Sequence, residues 1–355
     1  MAEIVPGLVS VVIPVFNREQ MLRQAVASVV EQRYEPVEIV LVDDGSTDDT
    51  GRTCDQLAAE SPNSVRVVHQ PNSGPGAARE AGRAVCRGEF IQYLDSDDLL
   101  LPRKLERQVE ALRGDPEAGV AYGFTRYRGS DGRGRPEPWK GSGEPRRTMF
   151  PWFLTERWWD TPTPLYRRSV CDAAGPWRPL WNEEDWEYDC RIASKGTKLA
   201  HVKEWVAEVR DHATDRLSRA GARDRRRMAS RTEAHVAVYG HALAAGIGPD
   251  SPFMKRYARE LFLLSRQCGA AGLSAESRRL FELAREAAGP DAGSGADLTL
   301  YRFAAALVGW RMAGRLACWA DEVRAFWTAS RPDESAGSFP RHVECQRTTG
   351  REGRP

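Results

Sequence analysis

The run YLDSDDLLLP, Tyr93 to Pro102, sets three carboxylates, Asp95, Asp97 and Asp98, directly after the apolar stretch EFIQYL. Carboxylates this close repel one another unless a cation shares them, and a divalent metal is the commonest such cation at a strand end. Mg²⁺ and Mn²⁺ suit one or two carboxylates plus substrate phosphates, which leaves most of the coordination shell to the ligand. A second acidic run, Glu183-Glu184-Asp185, opens the helix-like NEEDWEYDCRIASKG. Acids also favour helix starts for purely structural reasons, and Asp98 reads as a cap for a helix expected from Pro102. Position and company must therefore decide which of these acids do chemistry.

Stepping outward, short β-branched runs alternate with helical patterns, the rhythm of βαβ units and a mostly parallel sheet. SVVIPVF (10–16), VEIVLVD (37–43), VRVVHQ (65–70) and EFIQYLD (89–95) read as strands. Asn17 is placed to cap a helix carrying Met21, Leu22, Ala25, Val26 and Val29 at helical spacing. VEIVLVD is almost wholly apolar, so it belongs in the centre of the sheet, covered on both faces. Gly88 suits the end of the helix after the third strand. The acidic triplet thus falls between a strand end and a helix start, the crevice where open α/β sheets bind ligands. RYRGSDGRGRPEPWKGSGEPRR (126–147) reads as an exposed hairpin or mobile loop, with order resuming near Thr148. Helical spacing runs from about 219 to 330, and the composition from Arg331 onward suits a disordered tail.

Composition narrows the classes. Lys plus Arg total 51 against 50 for Asp plus Glu, a net charge of +1, so nothing global calls for a nucleic-acid partner. Seven scattered cysteines never form Cys-x-x-Cys, which argues against a disulfide framework and a structural zinc site. The N-terminal run lacks a basic n-region and flows into a strand pattern, and the most lipophilic C-terminal window, 298–320, is broken by Arg302, Arg311 and Arg315. The expectation is a cytoplasmic protein with no spanning helix.

The motifs VSVVIPVFNRE, IVLVDDGSTDDT, NSGPGAAREAG, GEFIQYLDSDD and EDWEYDCRIASKG, in this order and at these separations, resemble the family 2 glycosyltransferases over roughly residues 8–215. The resemblance implies an α/β, GT-A, Rossmann-like sheet flanked by helices, with a nucleotide-sugar half at about 8–115, an acceptor half at about 116–215 and a helical C-terminal region at 216–330. It implies a donor that is a nucleotide-diphosphate sugar, with a UDP-sugar preferred. The acceptor hydroxyl would belong to a saccharide, a lipid-linked saccharide or a small molecule.

Residue by residue, the resemblance makes Asp95 and Asp97 the Asp-x-Asp pair, with Asp97 the better ligand for Mg²⁺ or Mn²⁺ and Asp95 and Ser96 near the donor ribose. Pro14, Val15 and Phe16 would line the base and ribose pocket with Asn17 nearby. Asp43 and Asp44 would meet the nucleotide, Asp44 at the imide edge of a pyrimidine; capping the next helix is the plainer alternative. Arg79 would grip a base carbonyl or a phosphate oxygen. His212 would complete the metal shell.

Transfer with inversion requires a carboxylate opposite the leaving diphosphate. The resemblance gives this role to Asp185, with Glu184 orienting or contacting the acceptor; the additional Glu183 leaves a one-residue slip open. Trp158, Trp159 and Thr161 fall where the family places an acceptor-facing loop, although core packing is the plainer role for the aromatics. Residues 298–326 combine Trp and Phe with Arg302, Arg311 and Arg315. They suit packing against the catalytic domain or a second subunit, with peripheral contact at the inner membrane face as the alternative. Two other functions stay open: a sugar-phosphate nucleotidyltransferase, disfavoured because VIPVFNRE has no glycine loop, and a non-catalytic nucleotide-sugar binding partner subunit.

Overall fold

A computed structural model describes residues 3–62, 64–211, 224–293 and 295–329. Its centre is a mixed eight-stranded sheet in the order β3-β2-β1-β4-β7-β6-β8-β5. β1 (Val5–Val15), β2 (Val37–Asp43), β3 (Val65–His69) and β4 (Gly88–Tyr93) are mutually parallel, as the βαβ rhythm requires. The sheet then changes direction: β7 (Leu165–Arg167) runs antiparallel between β4 and β6 (Ala118–Arg128). β8 (Lys198–Arg210) pairs parallel with β6 and antiparallel with the short β5 (Leu99–Leu100).

Alternation along the strands divides the core between two faces. Val9, Val11, Ile13 and Val15 of β1 face α1 (Glu19–Val30), α2 (Thr50–Glu60) and α4 (Lys104–Gly114), whose Leu22, Val26, Cys54, Leu105 and Val109 share that cluster. Val12, Val42, Ile91 and Tyr93 face the other way, toward α3 (Pro75–Val85), α5 (Arg168–Ala174) and α6 (Glu184–Ala193). That second core continues into α7 (Arg225–Ala244), α8 (Pro252–Ala270), α9 (Ser274–Ala292) and α10 (Ala296–Ala329).

Several local expectations are corrected. Asn17 does not cap α1: its backbone is left-handed, with φ 51°, and its carboxamide oxygen accepts from Thr47 N at 2.8 Å. Gly88 opens β4 instead of ending α3, which stops at Val85. Gly88 is fixed there because a Cβ would meet Ser10 N at 2.6 Å. The Gly/Pro-rich stretch after β6 begins as the expected exposed hairpin, with Arg128 bridged antiparallel to Gly134, but it packs further on, where Ser142 is buried and its hydroxyl accepts from Thr125 N at 3.0 Å.

Candidate active site

The chain leaves β4 along a hydrogen bond from Leu94 N to Val12 O and then closes a turn in which Asp98 N donates to Asp95 O at 3.0 Å. This turn brings one carboxylate oxygen of each of Asp95, Asp97 and Asp98 within 4.8 Å of the others. Asp98 is not a helix cap as expected. It is buried, it is followed by β5, and it accepts from Arg210 N at 3.1 Å, so it pins the acidic turn to the end of β8. Asp97 Oδ2 accepts from Arg18 Nη1 at 2.9 Å. Burial, with Asp97 and Asp95 beside it, holds the Asp98 carboxyl well above the usual carboxylate range. Asp95 is raised as well: burial and its acidic neighbours Asp97 and Asp185 outweigh the pull of Arg79. Asp95 and Asp97 offer the all-oxygen carboxylate donors that suit a hard divalent cation. Ser96, between them, is buried.

The second acidic run arrives from the far side. Arg79, buried in α3, spans the gap: Nη2 donates to Asp95 Oδ1 at 2.6 Å and Nη1 to Glu184 Oε1 at 2.5 Å. In this structure it ties the end of β4 to the start of α6. Three consecutive acids then point three ways. Glu183, in the left-handed region with φ 59°, turns to α7, where Oε1 meets Arg231 Nε at 2.8 Å and Oε2 lies 3.1 Å from His235 Nε2. Glu184 turns to Arg79. Asp185 Oδ2 accepts from Arg157 Nη1 at 2.6 Å and from the Thr161 hydroxyl at 3.0 Å, while Oδ1 accepts from Trp186 N at 2.7 Å.

Those partners separate the two carboxyls electrostatically. Burial would raise Asp185, but the guanidiniums of Arg157 and Arg79 and the bonds from Thr161 and Trp186 N bring it to about 2. Burial raises Glu184 to about 7, because Arg79 is shared with other acids and Asp185 repels it. Asp185 is thus ionised at any ordinary pH, while Glu184 exchanges its proton near neutrality.

Around the carboxyl end of β1, Pro14 is half-buried, Val15 is buried and Phe16 is exposed at 39%. Asn17 and Ser46–Thr47 cross-tie the corners that follow β1 and β2, since Asn17 N also donates to Ser46 Oγ at 3.0 Å. Asp43 is buried and accepts from Ser46 N and from a ring nitrogen of His69, each at 3.0 Å. Asp44 departs further from expectation. It is buried, Oδ1 accepts from Gln70 Nε2 at 2.7 Å and Ser73 N at 2.8 Å, and Oδ2 accepts from Gly74 N at 2.9 Å. It neither caps α2 nor presents an open edge to a base; it holds the turn that starts α3. Gly74 is required in that turn, with φ 90° and the Trp181 ring 2.9 Å from where a Cβ would stand.

Trp158 and Trp159 are fully buried in the core, the plainer of the two roles expected of them, and offer no ring face to an acceptor. Their part is indirect. Trp159 Nε1 donates to Asp189 Oδ2 at 2.9 Å, and Asp189 in turn accepts from Arg157 Nε at 3.0 Å. Thr161 does reach the site, through Asp185. His212 lies outside the described residues. Sequence reasoning missed Arg18, Arg157, Ser230, Arg231 and His235. Arg157 had no readable signal, because its partners lie 28 and 32 residues away. Arg18 had one: a cation closing FNR, opposite an acidic strand end.

Comparison with known proteins agrees with this geometry. Residues 10–172 match the profile described as Glycosyl transferase family 2. The glycosyltransferase GlyG of Streptococcus pneumoniae serotype 4 is 39% identical over 127 residues, covering 35% of this chain and 42% of that protein. Chondroitin synthase of Escherichia coli is 37% identical over 115 residues, covering 32% of this chain and 17% of its own. The chain spans less than half the length of these relatives. Among solved structures, S. aureus TarS 1-349 in complex with UDP is similar with a TM-score of 0.59 at 19% identity, covering 88% of this chain and 91% of that one. The mannosyltransferase PcManGT from Pyrobaculum calidifontis, in complex with GDP-Man and Mn²⁺, follows with a TM-score of 0.51 at 19% identity, over 90% and 87%. At such identity the two structures establish a shared GT-A-like fold.

Proposed function

We propose, from the premise that residues 10–172 are a glycosyl transferase family 2 domain, that this chain transfers a sugar from a nucleotide-diphosphate sugar to an acceptor hydroxyl with inversion. The observation that carries the reading is the Arg79 bridge. One guanidinium touches the acidic turn after β4 with one arm and the acidic start of α6 with the other, so the two acidic groups stand within one side chain's reach of each other. The UDP bound to TarS supports a UDP-sugar as donor, and the GDP-Man bound to PcManGT supports the broader class.

Asp97 and Asp95 would hold a divalent cation, for which the Mn²⁺ of PcManGT and the carboxylate-rich donor set are the support. When bound, such a cation supplies Lewis-acid stabilisation of the departing diphosphate. Pro14, Val15 and Phe16, at the β1 end, would flank the base and ribose, and Ser96 would approach the ribose from the acidic turn. Asp185 acts as the base: its carboxylate takes the proton of the acceptor hydroxyl as that oxygen bonds to the anomeric carbon and the bond to the diphosphate oxygen breaks. Arg157 and Thr161 hold Asp185 ionised and oriented, and Glu184, held by Arg79, fixes the register of α6 beneath it.

Thermal shift with UDP and with GDP, each with and without Mn²⁺, tests the donor side, because a bound nucleotide raises apparent stability by mass action. Asp97→Ala is expected to abolish the Mn²⁺-dependent part of the shift. Asp185→Asn is expected to keep the shift and to lower hydrolysis of UDP-N-acetylglucosamine by roughly a hundredfold or more. Unchanged turnover in Asp185→Asn would remove the base assignment while leaving donor binding intact.

A further inference from the structure

α10 is apolar on two opposite sides. Its inward ridge, Leu298, Tyr301, Ala305 and Ala313, is buried, and Gly314 allows close approach to α8, since a Cβ there would stand 2.4 Å from Ala270 N. Its outward ridge is equally apolar: Leu300, Phe303 and Leu307 before the Gly309 kink, then Met312, Leu316 and Trp319 after it, with Leu307 69% and Trp319 63% exposed. A helix apolar on both sides is ordinarily covered on both. Among the described residues no helix is long and apolar enough to cross a membrane.

Charge identifies the cover. Between Asp297 and Asp321 the sequence has no acidic residue and three exposed arginines, Arg302, Arg311 and Arg315. The bounding acids are engaged within the chain: Asp297 accepts from Arg259 Nη1 at 2.5 Å, and Asp321 is paired with Arg266. In a two-fold contact between copies, this ridge would bring guanidiniums toward guanidiniums with no carboxylate from the same stretch to offset them. An anionic bilayer surface accepts both features: Leu, Phe and Trp enter the acyl boundary while flanking arginines meet lipid phosphates. We infer that the outward face of α10 seats this protein on an anionic phospholipid membrane surface, lying in its plane.

The experiment is co-sedimentation of the full chain with phosphatidylcholine vesicles, with and without roughly a third phosphatidylglycerol. Binding is expected to the anionic vesicles only and to weaken strongly in about 0.5 M salt, where charges are screened within a few ångströms. Arg302→Gln, Arg311→Gln and Arg315→Gln together are expected to cut vesicle affinity roughly a hundredfold. Leu307→Gln with Trp319→Gln is expected to reduce binding even to fully anionic vesicles. Both variants alter exposed side chains and are expected to keep the parent's circular dichroism and melting temperature. Equal recovery of parent and variants with anionic vesicles overturns the inference. So does a failure of the parent to bind while sedimentation velocity shows a dimer that Leu307→Gln with Trp319→Gln dissolves; that result assigns the face to a second copy.

Discussion

Arg79 serves more carboxylates than one guanidinium can neutralise. It bonds Asp95 and Glu184 and also feels Asp185, so burial, with repulsion from Asp185 added, outweighs its pull and raises Glu184 to about 7. The consequence for stability has a definite sign. A carboxyl near 4.5 in the unfolded chain and near 7 in the folded one holds its proton in the folded state between those values, so folding takes up protons and stability falls as pH rises through that window. Glu184→Gln is expected to lose stability between pH 5 and pH 8 less steeply than the parent, by on the order of 2 kcal/mol, measured as chemical denaturation at both pH values. Parallel pH profiles for the two proteins would refute the shared-guanidinium account. Asp185 has the opposite sign: its lowered value stabilises the fold above the ordinary carboxylate range and that contribution disappears only as pH falls toward about 2, so it adds nothing to this window.

At the scale of elements, the segment carrying Asp185 is held from behind by α7. Ser230 Oγ accepts from Trp181 N at 2.7 Å and Asn182 N at 3.3 Å, Arg226 lies over the Trp181 ring at 3.6 Å, and His241 Nε2 meets Glu187 Oε1 at 2.9 Å. Together with the Glu183 pairing to Arg231, these contacts fix the left-handed residue from which α6 starts. Ser230→Ala removes the acceptor for two part-buried backbone N–H groups, a loss of up to about 1–3 kcal/mol in all. Turnover is expected to drop roughly tenfold with nucleotide affinity unchanged, because the ends of β1 and β2, proposed to flank the nucleotide, are held by other elements. A matched fall in nucleotide affinity would instead show that α7 supports the whole cleft.

Little of this grip was legible beforehand, and the reason is sequence distance. Strand identity and order along β1 to β4 could be read because apolar alternation and βα turns are local signals. The acidic turn could be read for the same reason. The tasks of Asp44 and Trp159 could not, since a carboxylate that holds a neighbouring turn and a tryptophan that braces Asp189 look, in one dimension, just like ligand-facing residues. Glu183 shows the boundary most clearly. The run of three acids was visible, but which one faces which partner depends on a single left-handed φ and on arginine and histidine side chains some fifty residues downstream.

Across the whole molecule, the core on one face of the sheet does not stop at the last strand. Val12 and Tyr93 in the sheet, Tyr188 in α6, Tyr257 in α8, Phe281 in α9 and Ala313 in α10 belong to one buried cluster. A chain of 355 residues is long enough to divide into independently stable units, but here the helices complete the wall against which α6 packs. Trp186 is the joint: Nε1 donates to Phe153 O at 2.7 Å while its ring lies 4.9 Å from His235 and 6.0 Å from Tyr257. Tyr257 is fully buried and stacks on His235, so Tyr257→Ala is expected to cost about 3–5 kcal/mol, the range for truncating a large buried aromatic. Because the cluster is continuous, that loss is expected to lower one shared transition, seen alike by far-ultraviolet circular dichroism and by tryptophan fluorescence, and not to release α8 to α10 alone. Adding UDP with Mn²⁺ is then expected to slow amide exchange in α9 as well as around β4, since a ligand that stabilises the cleft stabilises every element that unfolds with it. Two resolved transitions, with the nucleotide moving only one, would mean that the helical region is a separate unit that merely leans on the sheet.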